Sequence, residues 1–356
     1  MKAILILIIM STFNVFVSVK VEGKEVNRIN SFKIRKSWKE ITDTANVKLP
    51  LLASKRDVGT VNKSMADRFK PGDYIEISCT YEGLYDTYTK TEFKGFVKKV
   101  IPTVPLEIEC EDGSYWFRKV SVYKEWKKSE NPSLKTILKY LVSEVNNTSK
   151  YKFKLVDESI PELKFNTFRI GTNQNKVNAG EALQFIKDNY GIAIWFNEDE
   201  LHCRLAYTNV SGRKDVSINL QGNIVKDGNK LTYREEEETQ YVVEGKAILP
   251  DNTVIIAKYP ENGKGDIRPY ITYNAKDKST LEKLIKAFHS SLGATERVEG
   301  YIITKLIPFV EHSDTINIKE PDFNNIKGRF LVDTTELEFT ARSGIFRKIY
   351  PGIKLS

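Results

Sequence analysis

Three cysteines and three histidines are the side chains of this sequence best suited to metal or nucleophilic chemistry, and their spacing serves neither. Cys79, Cys110 and Cys203 stand far apart, without the Cys-x-x-Cys spacing that grips a cation or forms a redox couple. An odd number of cysteines gives no disulfide framework, and Cys79 and Cys110 read as small core residues on strands. His202 adjoins Cys203, but neighbouring residues of a strand point to opposite faces and cannot readily share an ion. His289 and His312 are isolated in the sequence. Glu107, Glu109 and Glu111 alternate along one strand, which places them on one face and reads as a solvent edge rather than an acid–base pair. Glu76, between Ile75 and Ile77, also reads as outward-facing. No nucleophile elbow, phosphate-binding loop, His-Glu-x-x-His or dinucleotide fingerprint occurs. The expectation is no catalytic residue, no cofactor-binding residue, no metal ligand, and no enzyme.

The elements around these residues are mostly strands, and residues 69–119 carry the clearest pattern. Gly72 and Asp73 open a strand with Tyr74, Ile75, Ile77 and Cys79; a second covers 93–101, and a third, 106–110, follows Pro102 and Pro105. Asp112-Gly113 then predicts a turn into an aromatic strand, Tyr115-Trp116-Phe117. β-Branched and aromatic residues between Gly, Pro and Asp-Gly breaks are the signature of antiparallel sheet. Across the chain, 17 Tyr and 18 Phe tilt the composition the same way.

At 356 residues, 40% of them hydrophobic, the chain is long enough for two or three domains with sizeable cores. The net charge is +8, but Lys and Arg are interleaved with Asp and Glu. A nucleic-acid site concentrates basic residues on one face or run, so this pattern reads as a solvated surface of mixed charge.

In chain order, residues 13–21 alternate apolar and polar as a half-buried strand does, then Glu22-Gly23-Lys24 turns into 26–38. Residues 41–52 continue as strand, and 53–68 form a polar connection. Leu134, Ile137, Leu138, Leu141, Val142 and Val145 make one helical stripe, with Ser133 as its N-cap. A strand near 151–156 precedes a second helix, 179–190, capped by Asn178 with Glu181 and stopped by Gly191. A hairpin over 192–207 turns at Glu198-Asp199-Glu200. The run Glu235-Glu236-Glu237-Glu238 reads as a solvated loop or edge. Strands follow at 241–245, 253–259 and 270–273. Helix 281–292 comes next, with Ser279 and Glu282 as capping box and Gly293 as stop, then strands at 300–308, 315–318, 328–339 and 345–349.

The order of these signals resembles the baseplate hub proteins of contractile phage tails and phage-derived injection systems. The residues that carry it are 37–50, Phe69-x-Pro-Gly-Asp, Phe93-Lys94-Gly95, Glu111-Asp112-Gly113, the helix, Tyr190-Gly191, strand, acidic turn, strand succession, and the closing stretch 328–352. Each motif is short, and their order over nearly the whole chain carries the likeness. The resemblance implies a mainly β (α+β) fold of two tail-tube-like antiparallel β-barrels with a small α/β module between them. It sets a first barrel at 12–127, the module at 128–207, linker and turns at 208–235, and a second barrel at 236–356 holding helix 281–292. The implied role is structural: a homotrimeric ring joining the tail tube protein to the spike protein among other baseplate proteins. It needs no cofactor, specific nucleic-acid sequence or stable membrane anchor, and is made in the bacterial cytoplasm for a virion tail or injection particle.

Two readings of the start remain open. Residues 1–11 are a leader or dispensable extension ahead of the first strand. Alternatively Lys2 and the apolar run after it form a secretory signal, and the chain is a secreted or periplasmic β-rich binding protein or hydrolase.

Overall fold

The computed structural model of the chain describes residues 14–26, 28–51, 65–82, 87–165, 167–207, 214–220, 230–234, 241–249, 253–272, 275, 277–291, 296–319 and 326–355. The 1–11 extension, the glutamate run at Glu235 to Glu238 and the Gly293 stop lie outside the described residues. The described chain is chiefly β, as expected, and forms two compact units. One holds residues 1–32, 46–110 and 339–345, the other 33–45, 111–338 and 346–356.

In the first unit, β1 (Asn14–Val21) and β2 (Lys24–Val26) form a hairpin turning at Glu22 and Gly23, both at positive φ. β3 (Ser31–Ser37) begins in this unit and ends in the second, and β4 (Thr44–Leu49) returns from it. After a 3-10 turn at Met65–Arg68 come β5 (Tyr74–Glu82), β6 (Thr87–Ile101) and β7 (Leu106–Glu111). The strand order is β4-β7-β6-β5-β1-β2. Alternation sets the faces: Ile75, Ile77 and Cys79 are buried, and Glu76 between them is only partly so. β6 starts six residues before the predicted position, because Thr80–Thr89 and Ser78–Thr91 hydroxyl bonds carry its pairing with β5 onward.

The second unit holds a departure in the type of an element. Tyr115, Trp116 and Phe117 belong to a helical turn, Ser114–Phe117, not to a strand. Asp112 Oδ1 accepts the Ser114 N–H at 3.0 Å, and the Asp112 carbonyl accepts the Tyr115 N–H at 3.1 Å. This side-chain turn at Asp112, with Phe117 packed on Phe153 and Phe196, overrides the strand preference of aromatic residues. Next come β8 (Ser121–Val122), β9 (Lys124–Trp126), α1 (Leu134–Thr148), β10 (Lys154–Leu155), β11 (Phe168–Ile170) and β12 (Val177–Asn178). The Ser133 side chain accepts the Thr136 N–H and caps α1, whose predicted stripe is buried throughout.

α2 (Ala179–Tyr190) carries the predicted capping box between Asn178 and Glu181 and ends at Gly191 in the left-handed conformation. It feeds the hairpin of β13 (Ile192–Asn197) and β14 (Glu200–Leu205). Then follow β15 (Asp215–Asn219), β16 (Lys230–Arg234), β17 (Tyr241–Ile248), β18 (Val254–Tyr259) and β19 (Asp266–Thr272). Next are α3 (Lys278–Ser291), β20 (Arg297–Thr304), β21 (Thr315–Lys319), β22 (Gly328–Thr340) and β23 (Gly344–Lys354). α3 starts three residues early: Asp277 Oδ1 accepts the Thr280 N–H at 2.7 Å, so Asp277 caps the helix instead of Ser279.

Within this unit the strands run in the order β16-β20-β23-β22-β3, and β15 pairs parallel to β21, which pairs with β22. Ile218, Val298, Ile302, Ile316, Phe330 and Ile349 form its central apolar cluster. A separate three-stranded sheet, β18-β17-β19, carries α3 on one face.

Candidate functional site

The predicted chemistry-bearing residues do not converge. Among the described residues no cluster of His, Cys, Asp and Glu could hold a metal ion. Cys79, Cys110 and Cys203 are buried and in no disulfide. Burial pushes the Cys110 and Cys203 thiols far above their ordinary range, so neither is a thiolate nucleophile. His202 and Cys203 point to opposite faces of β14: His202 stacks on Trp195 at 5.2 Å, while Cys203 is fully buried. Glu107 and Glu109 are half-buried, whereas Glu111 is buried and ion-paired with Arg118. The solvent-edge reading fails for Glu111 because the chain turns at Asp112 and folds Arg118 back over the carboxylate. Alternation tells which face a residue is on, not what covers it.

A polar centre that the sequence did not announce lies in the second unit, where the turn after β3 meets the corner after β7. The Asp43 N–H donates to Asp112 Oδ2 at 2.7 Å, and the Asp112 N–H donates to the Asp43 carbonyl at 3.1 Å. The Ser37 N–H donates to Asp43 Oδ1 at 2.9 Å. The other Asp43 oxygen, Oδ2, faces His312 Nε2 at 3.9 Å. Asp43, Asp112 and His312 are 4%, 3% and 5% exposed, so the centre admits no substrate.

The surroundings are equally buried. The His312 ring stands edge-on to Trp195, and the Arg204 guanidinium lies 5.1 Å from the Trp195 ring and 5.6 Å from the Trp38 ring. Arg204 donates to Ser313 Oγ at 2.9 Å, and Trp38 Nε1–H donates to the Val332 carbonyl at 3.1 Å. Burial raises Asp43 well above the usual carboxylate range, and the neighbouring Asp112 charge adds to it. Burial pushes Asp112 up to about 7 against the hydrogen bonds that it accepts. The chemistry open to such a closed pair is to hold and release a proton.

A second charged group crosses β3, β22 and β23. Lys33 and Arg35 of β3 contact Glu336 of β22 at 3.1 and 2.8 Å, and Lys348 of β23 contacts Glu338 at 3.0 Å. Burial works to raise Glu336, but hydrogen bonds from Arg35 and Lys33 outweigh it and hold its carboxyl below the ordinary value.

The third feature is an open sheet face. Opposite α3, the sheet β18-β17-β19 presents Val254, Ile256, Ile267 and Ile271, the last 62% exposed. Register puts Ile271, Lys246 and Ile256 in one row across the three strands. On the covered face Gly245 admits α3, whose Leu281 and Ile285 are buried against it. No described helix is long and apolar enough to cross a membrane.

No protein family and no curated protein matches the chain. Solved structures do match. A 43 kDa tail protein of prophage MuSo2 from Shewanella oneidensis superposes with a TM-score of 0.60 at 13% identity, over 95% of this chain and 98% of that one. A tail protein from Neisseria meningitidis MC58 gives a TM-score of 0.62 at 13% identity, over 95% and 96%. A type VI secretion component from E. coli, described as similar to T4 bacteriophage tail proteins gp27 and gp5, gives 0.55 at 8% identity, over 95% and 77%. The chain has the fold of these phage tail proteins and of the type VI secretion component.

Proposed function

We propose that this protein is a structural hub of a phage-type tail baseplate or contractile injection particle. Three copies form a ring that joins the tail tube to the central spike, in contact with tube, spike and other baseplate proteins. The observation that carries this reading is the end-to-end likeness to two tail proteins of about the same extent. It is a likeness of the whole chain rather than of one module shared by unrelated proteins. A first barrel at 12–127, a module at 128–207, a linker at 208–235 and a second barrel at 236–356 are the division this role needs. Three subunits meet a sixfold tube when each supplies two similar elements.

The role is mechanical and needs no cofactor, and the buried polar centre fits it as an internal joint rather than an active site. Copy number in assembled particles is the test, read by cryo-electron microscopy and by native mass spectrometry of released hub complexes. Three copies in a closed ring between tube and spike are expected. One copy per particle, or absence from the particle, rules the reading out. A zymogram on peptidoglycan checks the non-enzymatic part: a clear zone lost on replacing one acidic residue would overturn it.

A further inference from the structure

We infer that Asp43, Asp112 and His312 form a proton-operated latch inside the second unit. It fastens the turn after β3, the corner after β7 and the loop before β21 together while its carboxyls are protonated, and it loosens them as they ionise.

The geometry assigns the proton. Both Asp112 oxygens accept backbone N–H groups, Oδ2 from Asp43 and Oδ1 from Ser114, which makes Asp112 the first of the pair to ionise. Asp43 Oδ1 accepts the Ser37 N–H, leaving Oδ2 on the His312 side as the protonated oxygen. Two carboxylates this close and this buried cannot both ionise without cost.

The other charged groups that face the pair come from several elements. Lys36 of β3 favours ionisation, and Glu311 of the loop before β21 opposes it. Glu111 is ion-paired to Arg118, and the Arg204 cation of β14 bonds Ser313 beside His312. Asp314 accepts the Glu311 N–H at 2.9 Å and holds that loop in shape. Both carboxyls are raised above their unfolded values, so the latch is closed at acid pH and opens as pH rises. This inference stands on the second unit alone and holds whether or not the chain is a hub.

Hydrogen exchange of the full chain, followed by mass spectrometry and corrected for intrinsic rates, tests it. Peptides covering 37–45, 111–118 and 308–316 should open at least about tenfold more per pH unit between about pH 5 and 7, because opening releases the protons that the two raised carboxyls hold. Peptides of α2 should show no such trend. Asp43→Asn, which mimics the protonated acid, should fold and make the pH dependence of all three segments shallower, leaving only the Asp112 part. A flat profile in the native protein overturns the latch, as does an unchanged slope in Asp43→Asn. Should that variant fail to fold, the native profile decides alone.

Discussion

Gly245 of β17 lies so close under Ile285 of α3 that a Cβ on the glycine would stand 2.3 Å from the isoleucine Cγ2. That Cγ2 is carried directly on the Cβ of a buried, β-branched side chain, which has little freedom to turn away. Gly245→Ala is therefore expected to lower stability by about 1–3 kcal/mol through overpacking. Urea unfolding reads it, and an unchanged midpoint would mean that α3 lifts freely from its sheet.

The capping box of α2 gives a second expectation. Asn178 Oδ1 accepts the Glu181 N–H at 2.8 Å, and Glu181 returns a bond to the Asn178 N–H at 3.0 Å. Asn178→Ala should cost about 1 kcal/mol, and Asn178→Ser should restore most of it. Equal losses from Ala and Ser would show that the side chain matters for something other than the cap.

Acid should weaken the charge contacts that the carboxylates of β22 make. Glu336 and Glu338 both lie below their ordinary value in the folded chain. Their stabilising effect is thus complete above the unfolded value of 4.5 and disappears as pH falls through the lower folded values. Glu336→Gln should lower the urea midpoint at pH 7 and flatten the fall below about pH 4.5. A steeper acid limb in the variant would contradict this sign.

The two faces of the β18-β17-β19 sheet should respond in opposite ways. Ile256→Lys and Ile271→Lys, on the open face, are expected within about 0.5 kcal/mol of the native chain. Ile285→Ala, under the covered face, should cost about 2–5 kcal/mol. Thermal unfolding of the isolated protein separates them. A large loss at Ile271 would show that its face is covered within the subunit.

The parts legible in the sequence are those whose signals are local. Asn178, Glu181 and Gly191 bracket α2 within its own span, and six apolar residues at helical spacing fix α1 and its buried side. Alternation in β5 named the inward residues Ile75, Ile77 and Cys79 before any partner strand was known. The reading departs from the structure where Ser279 is given the cap that Asp277 supplies, and where the aromatic run after Asp112 is read as strand. The Asp43–Asp112 pair joins residues 69 apart, so no periodicity or motif announced it. Only the fold that joins the ends of β3 and β7 brings those carboxylates together.

The pairing of β19 bears on the order in which the smaller sheet assembles. β17 and β18 are a hairpin and can zip from their own turn, on the scale of microseconds typical of such units. β19 does not join the strand that precedes it. It must pass over the start of β17, where Gly263 presses against Val242, and pair in parallel on the far side. Closing that longer loop comes at an entropic cost that the hairpin does not face. β19 and the helix after it should therefore dock late in refolding, onto a hairpin already made.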